Sequence, residues 1–277
     1  MTTMFFQFQI GAMKATMLSD GPLLADAAEE LFRPKSPRYA EALRDAGMPT
    51  DHVRMEQNCL LLETGGKRAL FDNGMGSSKL YGPESGQLMG ALAEADIDPA
   101  SIDAVVLTHG HSDHCWGTMR DDGTPAFPNA ALYLSEQELN YWEADPPLER
   151  HGPTLEGARR NILPLRDRII CLRDGQEFLP GVQAWLTPGH TPGHMAYLFD
   201  GGWCLTGDVA FHDPLSYLFP EARSVFDTDR GVAVQTRKRV LERLADERLR
   251  IVGYHQPWPG LGRVERQGDA FRFLAGV

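Results

Sequence analysis

Short apolar runs broken by glycine-bearing turns recur along the chain, and between them lie stretches where apolar residues return every third or fourth position. The runs Phe5–Ile10 and Met13–Leu18 predict a hairpin around Gly11-Ala12, and Cys59–Thr64 with Lys67–Asp72 predict a second around Gly65-Gly66. Ala104–Thr108 is short and wholly apolar until its last residue, as a strand buried on both faces would be. Further strands are expected at Ala131–Leu134, near 169–172, 182–187, 195–199 and 203–206, then at Arg250–Tyr254 and Ala270–Leu274.

Helices are predicted where caps meet a helical apolar spacing. Asp26 with Glu29 opens a short one, Ser36-Pro37 opens another that stops at Gly47, and Leu88, Leu92 and Ala95 mark one ending before Pro99. Ser135, with Glu138 at the third helical position, begins the next; a bend at Pro146-Pro147 leads to one at about 155–163, ending at Pro164. The longest covers about 229–246 and buries Val240, Leu241 and Leu244. Runs of strands followed by helices, twice over, imply two sheets packed together with helices outside. No linker divides the halves, so residues 1–277 are read as one domain, with polar segment 22–56 either a lid or a surface excursion.

Composition narrows the classes. Hydrophobic residues make up 42%, which argues against disorder, and no apolar stretch approaches the roughly 20 residues that span a bilayer. Met1–Ile10 lacks a basic start and is interrupted by glutamine, so it reads as strand rather than signal peptide. The net charge of −11 sets nucleic acid aside as a partner. Cys59, Cys115, Cys171 and Cys204 are scattered without a CxxC pair, the usage of a cytoplasmic protein with reduced thiols.

The chemistry concentrates at His109-Gly110-His111-Ser112-Asp113-His114, directly after the Ala104–Thr108 strand. Three imidazoles and a carboxylate leave the end of a rigid element together, and these donors suit zinc and similar divalent ions. Three later strand ends offer more ligands: Thr187-Pro-Gly-His190, Thr206-Gly-Asp208 and Gly253-Tyr-His255. A carboxylate bridging from Asp208 would hold two cations roughly 3.5–4 Å apart, as in two-metal hydrolytic sites.

On these residues the chain resembles the metallo-β-lactamase superfamily in its dinuclear hydrolase branch, from about Asn58 to the C-terminus. The resemblance implies an αββα sandwich: two mixed sheets flanked by helices. It also implies His109, His111 and His190 as ligands of a first metal, Asp113, His114 and His255 as ligands of a second, and Asp208 as the bridge. Zinc is the expected ion, with iron or manganese as alternatives. Ser224–Asp229 and Tyr254–Gly262 resemble the methyl parathion hydrolase group, near the N-acyl-homoserine lactonases that share the doubled Thr-Pro-Gly-His motif. Those lactonases commonly carry a tyrosine three residues after the bridging aspartate; here that position is Phe211.

Asp72, at a strand end, is expected to accept a hydrogen bond from a ligand imidazole. His194 is read as structural, bonded to backbone. Phe211, His212, Tyr217, Phe219 and Trp258 are expected to wall a substrate pocket.

The expected reaction is attack of a metal-bridging hydroxide on an ester, lactone or aryl phosphotriester, with Asp113 and Asp208 in catalytic roles. The substrate is a small molecule, and a homodimer is compatible with this reading. The alternatives are a glyoxalase II-like thioesterase and a non-catalytic metal-binding protein of the same fold. A thioesterase would be expected to end in helix and a carrier to lack ligands.

Overall fold

The strands Asn58–Thr64 and Lys67–Phe71 show how the molecule is layered. Side chains alternate along a strand, so Cys59, Leu61 and Leu70 enter one apolar core while Leu60, Leu62, Ala69 and Phe71 enter another. Both faces are covered, which is why these strands read as continuous apolar runs rather than as an alternation. The structure is a computed structural model, and it describes residues 3–144 and 153–276.

Two seven-stranded mixed sheets follow one another in the chain. The first runs Phe5–Ile10, Met13–Ser19, Asn58–Thr64, Lys67–Phe71, Ala104–Val106, Ala131–Ser135 and Ile169–Leu172 in spatial order, antiparallel over the first four and parallel from Lys67–Phe71 onward. The second runs Glu177–Leu179, Val182–Leu186, Met195–Phe199, Trp203–Leu205, Arg250–Val252, Leu261–Gln267 and Ala270–Ala275. Among the described residues its only parallel pair is Trp203–Leu205 with Arg250–Val252, because the helix Arg230–Asp246 makes the crossover between them.

The sheets face each other across a shared core in which Met17, Leu62 and Phe71 meet Val182, Tyr197 and Leu205. Phe71 packs edge-on against Tyr197 and Phe199. Outside the first sheet lie the helices Leu88–Glu94, Glu136–Glu143 and Pro153–Ile162; outside the second lies Arg230–Asp246, contributing Val240, Leu241 and Leu244. This is the αββα sandwich.

Segment 22–56 is not a loose excursion. Leu23–Ala25 pairs with Val53–Met55, and Phe32–Arg33 pairs with Arg223–Ser224, with the helix Pro37–Asp45 between the two ribbons. Its apolar residues form a core of their own with Phe211, Leu215 and Ala222. Leu23, Ala25 and Met55 thereby line a cavity next to the histidine cluster.

Several boundaries differ from expectation. The helix near Asp26 runs Ala28–Leu31 with Ala27 as its cap residue and no side-chain cap bond. The strand Arg250–Val252 stops two residues short, which leaves Tyr254 and His255 on a loop. Leu261–Gln267 is a strand that was not anticipated: it is polar over most of its length, with Arg263, Glu265 and Gln267 on one face and Arg266 on the other, and only Leu261, Gly262 and Val264 are buried. The predicted bend at Pro146-Pro147 lies outside the described residues.

Candidate metal centre

The site is built at strand ends. Residues 107–115 follow Ala104–Val106, 187–194 follow Val182–Leu186, 206–208 follow Trp203–Leu205, and 253–255 follow Arg250–Val252. The close approach needs Gly110, since a Cβ there would lie 2.3 Å from Trp142 Nε1.

Seven side chains converge. His111 Nδ1 lies 3.0 Å from His109 Nε2 and 2.9 Å from His190 Nε2, so three ring nitrogens point at one another. Asp113 Oδ2 lies 3.4 Å from His114 Nε2 and 3.2 Å from His255 Nε2. Asp208 spans the two groups. Its Oδ2 is 3.2 Å from His190 Nε2 and 4.0 Å from His109 Nε2, while its Oδ1 is 3.3 Å from His114 Nε2 and 3.4 Å from His255 Nε2. Three sets are compact enough to share an ion: His109/His111/His190, His109/His114/Asp208 and Asp113/His114/His255.

The residues fit divalent metal. His114 Nε2 and Asp208 Oδ1 are buried without a hydrogen-bond partner, although unpaired buried polar atoms are costly. Burial and then neighbouring imidazoles push His109 and His111 well below the ordinary histidine range, so both present lone pairs. Burial opposes charge on Asp208, but His255 and His114 outweigh it and hold the carboxyl well below its usual range. Neutral imidazoles and ionised carboxylates are the ligand forms that bind metal.

An outer layer fixes each ring. His114 Nδ1 is 2.8 Å from Asp72 Oδ2, the bond expected of Asp72, and Asp72 in turn accepts from Thr108 N and Oγ1 at 2.7 and 2.8 Å. His255 Nδ1 donates to Glu56 O at 2.7 Å. His194 is not among the seven converging side chains; its ring is bonded to backbone, as expected. Its Nε2 accepts from the backbone N–H of Asp208 at 3.0 Å and its Nδ1 pairs with Thr187 Oγ1 at 2.8 Å.

Three contributors escaped the sequence reading. Asp227 Oδ1 lies 3.0 Å from His190 Nδ1, and its other oxygen accepts from Ser224 N and the buried Arg237. Tyr254 packs on the His114 ring at 4.0 Å between centroids and donates to Asp113 O. Glu138 was read as a capping residue. Ser135 does cap Glu138 N, but the Glu138 carboxylate turns inward to accept from Gly110 N at 2.8 Å, Trp142 Nε1 at 2.6 Å, Thr191 Oγ1 at 2.7 Å and Gly193 N at 3.0 Å. It ties the loop of His109 and His111 to the loop of His190. Asp227 and Tyr254 lie inside the Ser224–Asp229 and Tyr254–Gly262 stretches, the signals available for them, whereas nothing in the sequence marks the Glu138 carboxylate as inward-facing.

The cavity over the cluster has an apolar wall of Leu23, Ala25, Met55, Phe211, Val225 and Phe226. Phe211 belongs there, stacked on Phe32 at 5.5 Å. His212 and Trp258 do not. His212 opens instead onto a separate cavity on the far side of His255, with Leu43, Met48 and Val53, because the backbone turns after Phe211. Trp258 packs against the core between the sheets. Tyr217 is buried beside Phe273 under the second sheet, and Phe219 packs edge-on against Tyr39.

A sandwich of two mixed sheets with a histidine–aspartate cluster at the strand ends defines a metallohydrolase-like class. The metallo-beta-lactamase superfamily profile matches residues 53–255, and the chain belongs to that family. Among curated relatives, a probable polyketide biosynthesis zinc-dependent hydrolase, PksB of Bacillus subtilis, is 34% identical over 40% of each chain. An N-acyl homoserine lactonase of Bacillus cereus is 29% identical over 51% of this chain and 57% of its own. The match thus spans about half the length of these relatives. Two solved structures align along nearly the whole chain. AidC, a dizinc quorum-quenching lactonase in complex with a product, superposes with a TM-score of 0.92 at 23% identity, covering 100% of this chain and 99% of its own. The hydrolase AbOPH of the beta lactamase superfamily gives 0.89 at 26%, covering 99% and 98%.

Proposed function

We propose that the protein is a metal-dependent hydrolase that cleaves a lactone, a carboxylic ester or an aryl phosphotriester, using two divalent ions, with zinc the first choice. The observation that carries this reading is Asp208, whose two oxygens face two separate imidazole groups. His109, His111 and His190 would hold one ion, Asp113, His114 and His255 the other, and Asp208 both. When bound, such ions supply Lewis acidity: they acidify water toward neutral pKa and neutralise charge developing on oxygen.

The chain's own residues do the rest. Asp113 stands 3.2 Å from His255 at the edge of the cavity, where an ionised carboxylate orients water and accepts its proton. Leu23, Met55, Phe211 and Phe226 bind the apolar part of the substrate and exclude bulk water. Segment 23–55 serves as a fixed wall of that pocket, anchored by both ribbons. The lactonase names among the relatives favour a cyclic or open ester over a phosphotriester. Among the described residues no helix is long and apolar enough to cross a membrane, and the four free cysteines suit a reducing cytoplasm.

The test is metal analysis of the purified chain followed by a panel of lactones, aryl esters and phosphotriesters. Close to two ions per chain and turnover of at least one ester class is the expected result. One ion or none, in protein never exposed to chelator, overturns the dinuclear assignment. Its mass in solution decides whether the chain forms a homodimer.

A further inference from the structure

Outside the histidine–aspartate cluster, the cavity lining holds three hydroxyl-bearing side chains among the described residues: Tyr81, Ser112 and Thr154. Ser112 is 2% exposed at the start of the Ser112–Cys115 helix and lies at the floor. Tyr81 comes from the long loop between Lys67–Phe71 and Leu88–Glu94. Its carbonyl accepts from Leu24 N at 2.9 Å, which fixes that loop to the Leu23–Ala25 ribbon lining the same cavity.

Tyr81 lines this cavity together with Ser112 and Asp113, and both act on its phenol. Burial, with Asp113 adding to it, raises its pKa, and a protonated phenol is a hydrogen-bond donor at neutral pH. Phe211 sits 6.4 Å from the His190 ring and offers no donor. Tyr81 thus packs against the same apolar core as Phe211 while carrying a hydroxyl that Phe211 lacks. Among the described residues the uncharged side-chain donors in this cavity are the hydroxyls of Tyr81, Ser112 and Thr154, of which Tyr81 and Ser112 stand with Asp113.

We propose that Tyr81 is a catalytic residue that donates its phenolic hydrogen bond to the leaving-group oxygen of the substrate, on the Asp113 side. This rests on the hydrolase reading. In the step concerned the acyl carbon–oxygen bond breaks and its electron pair goes to the leaving oxygen. One proton of the added water ends on that oxygen and the hydroxyl on the acyl carbon, while Tyr81 keeps its own proton and stabilises the charge in passing.

The experiment compares wild type with Tyr81→Phe, both metal-loaded, on phenyl esters of one acid whose phenols differ in acidity. Removing only the hydroxyl should steepen the dependence of kcat/KM on leaving-group acidity. A nitrophenyl ester should lose about 3-fold and the unsubstituted phenyl ester about 50-fold, the range of one hydrogen bond to a charged oxygen. Calorimetric binding of the product phenol should weaken about 5-fold, with metal content and melting temperature unchanged, since a misfolded variant would shift all of these. Equal loss along the series, no loss, or unchanged phenol binding each overturns the role of Tyr81 while leaving the hydrolase standing. Wild type that hydrolyses none of the esters removes the hydrolase reading and Tyr81 with it.

Discussion

Glu138 joins the two loops that carry His109, His111 and His190, and replacing it with glutamine separates packing from charge. The carboxylate accepts four hydrogen bonds, two on each oxygen. A glutamine amide presents one oxygen and one NH2 group, so in either orientation two of the four donors face another donor. Hydrogen bonds to a buried charged acceptor are worth about 1.5–3 kcal/mol each, so losing two costs roughly 3–6 kcal/mol. Burial itself raises the Glu138 pKa, so part of this is offset by removing a buried charge. A net loss of about 3–4 kcal/mol in a chain of 277 residues lowers the melting temperature by roughly 5–7 °C. The displacement acts on one side of the cluster: Gly110 lies between His109 and His111, and Thr191 and Gly193 follow His190. Competition with a chromophoric chelator should therefore show weakening by about 10–100-fold for the first metal bound by these three residues, and much less for the second. A Glu138→Gln variant that melts within 2 °C (about one kcal/mol) of the parent and binds both ions unchanged would refute the clamp.

Asp208→Asn should remove most activity and weaken at least one ion, because this side chain faces both groups; wild-type turnover would require another bridge. Metal-free protein should lose stability as pH rises past neutrality. Burial opposes the imidazolium of His190 and of His255, yet Asp208 with Asp227, and Asp208 with Asp113, push each up to about 9 from an ordinary 6.5. Their contribution is complete below pH 6.5 and lost as pH climbs through about 9, so chelated protein should melt progressively lower over that window; a flat profile would refute it. Phe211→Tyr should raise lactone turnover relative to aryl ester turnover by at most about 10–100-fold, the reach of one hydrogen bond, compared at equal metal loading. Wild type that strongly prefers acyl-homoserine lactones over every aromatic substrate would show that the Phe211 reading is wrong.

The convergence of the histidine–aspartate cluster was legible because its residues are local in sequence or stand at strand ends. His109 to His114 lie within six residues, and His190, Asp208 and His255 each follow an apolar run closed by glycine or proline. The outer layer was legible only where a partner sits at such a position, as Asp72 does. Glu138 and Asp227 lie 28 and 37 residues from the residues they hold, and nothing in local pattern distinguishes an inward carboxylate from a capping or solvated one. The sheets were read well where both faces are buried and poorly at Leu261–Gln267, where the strand shows water a run of arginine and glutamate. The pocket wall was misread for a related reason. Adjacency to Asp208 suggested that His212 lines it and aromatic character suggested Trp258, but the apolar wall and Tyr81 come from distant segments: 23–55, Tyr81 and 211–226.

That assembly bears on what the site can select. The proposed ligands sit at strand ends of the two packed sheets, whereas the apolar wall belongs to a separate core formed by 23–55 with Phe211, Leu215 and Ala222. Phe211 touches both: its ring stacks on Phe32 at 5.5 Å and lies 6.4 Å from that of His190. Substitutions within the 23–55 core are therefore expected to reshape the cavity without moving the proposed ligands, and changes at Asp72 or Glu138 to disturb those ligands without altering the wall, whereas Asp227 holds both His190 and the segment that carries Val225 and Phe226. Substrate preference and metal affinity are physically separable here, and Phe211 and Asp227 are the positions at which they are expected to couple.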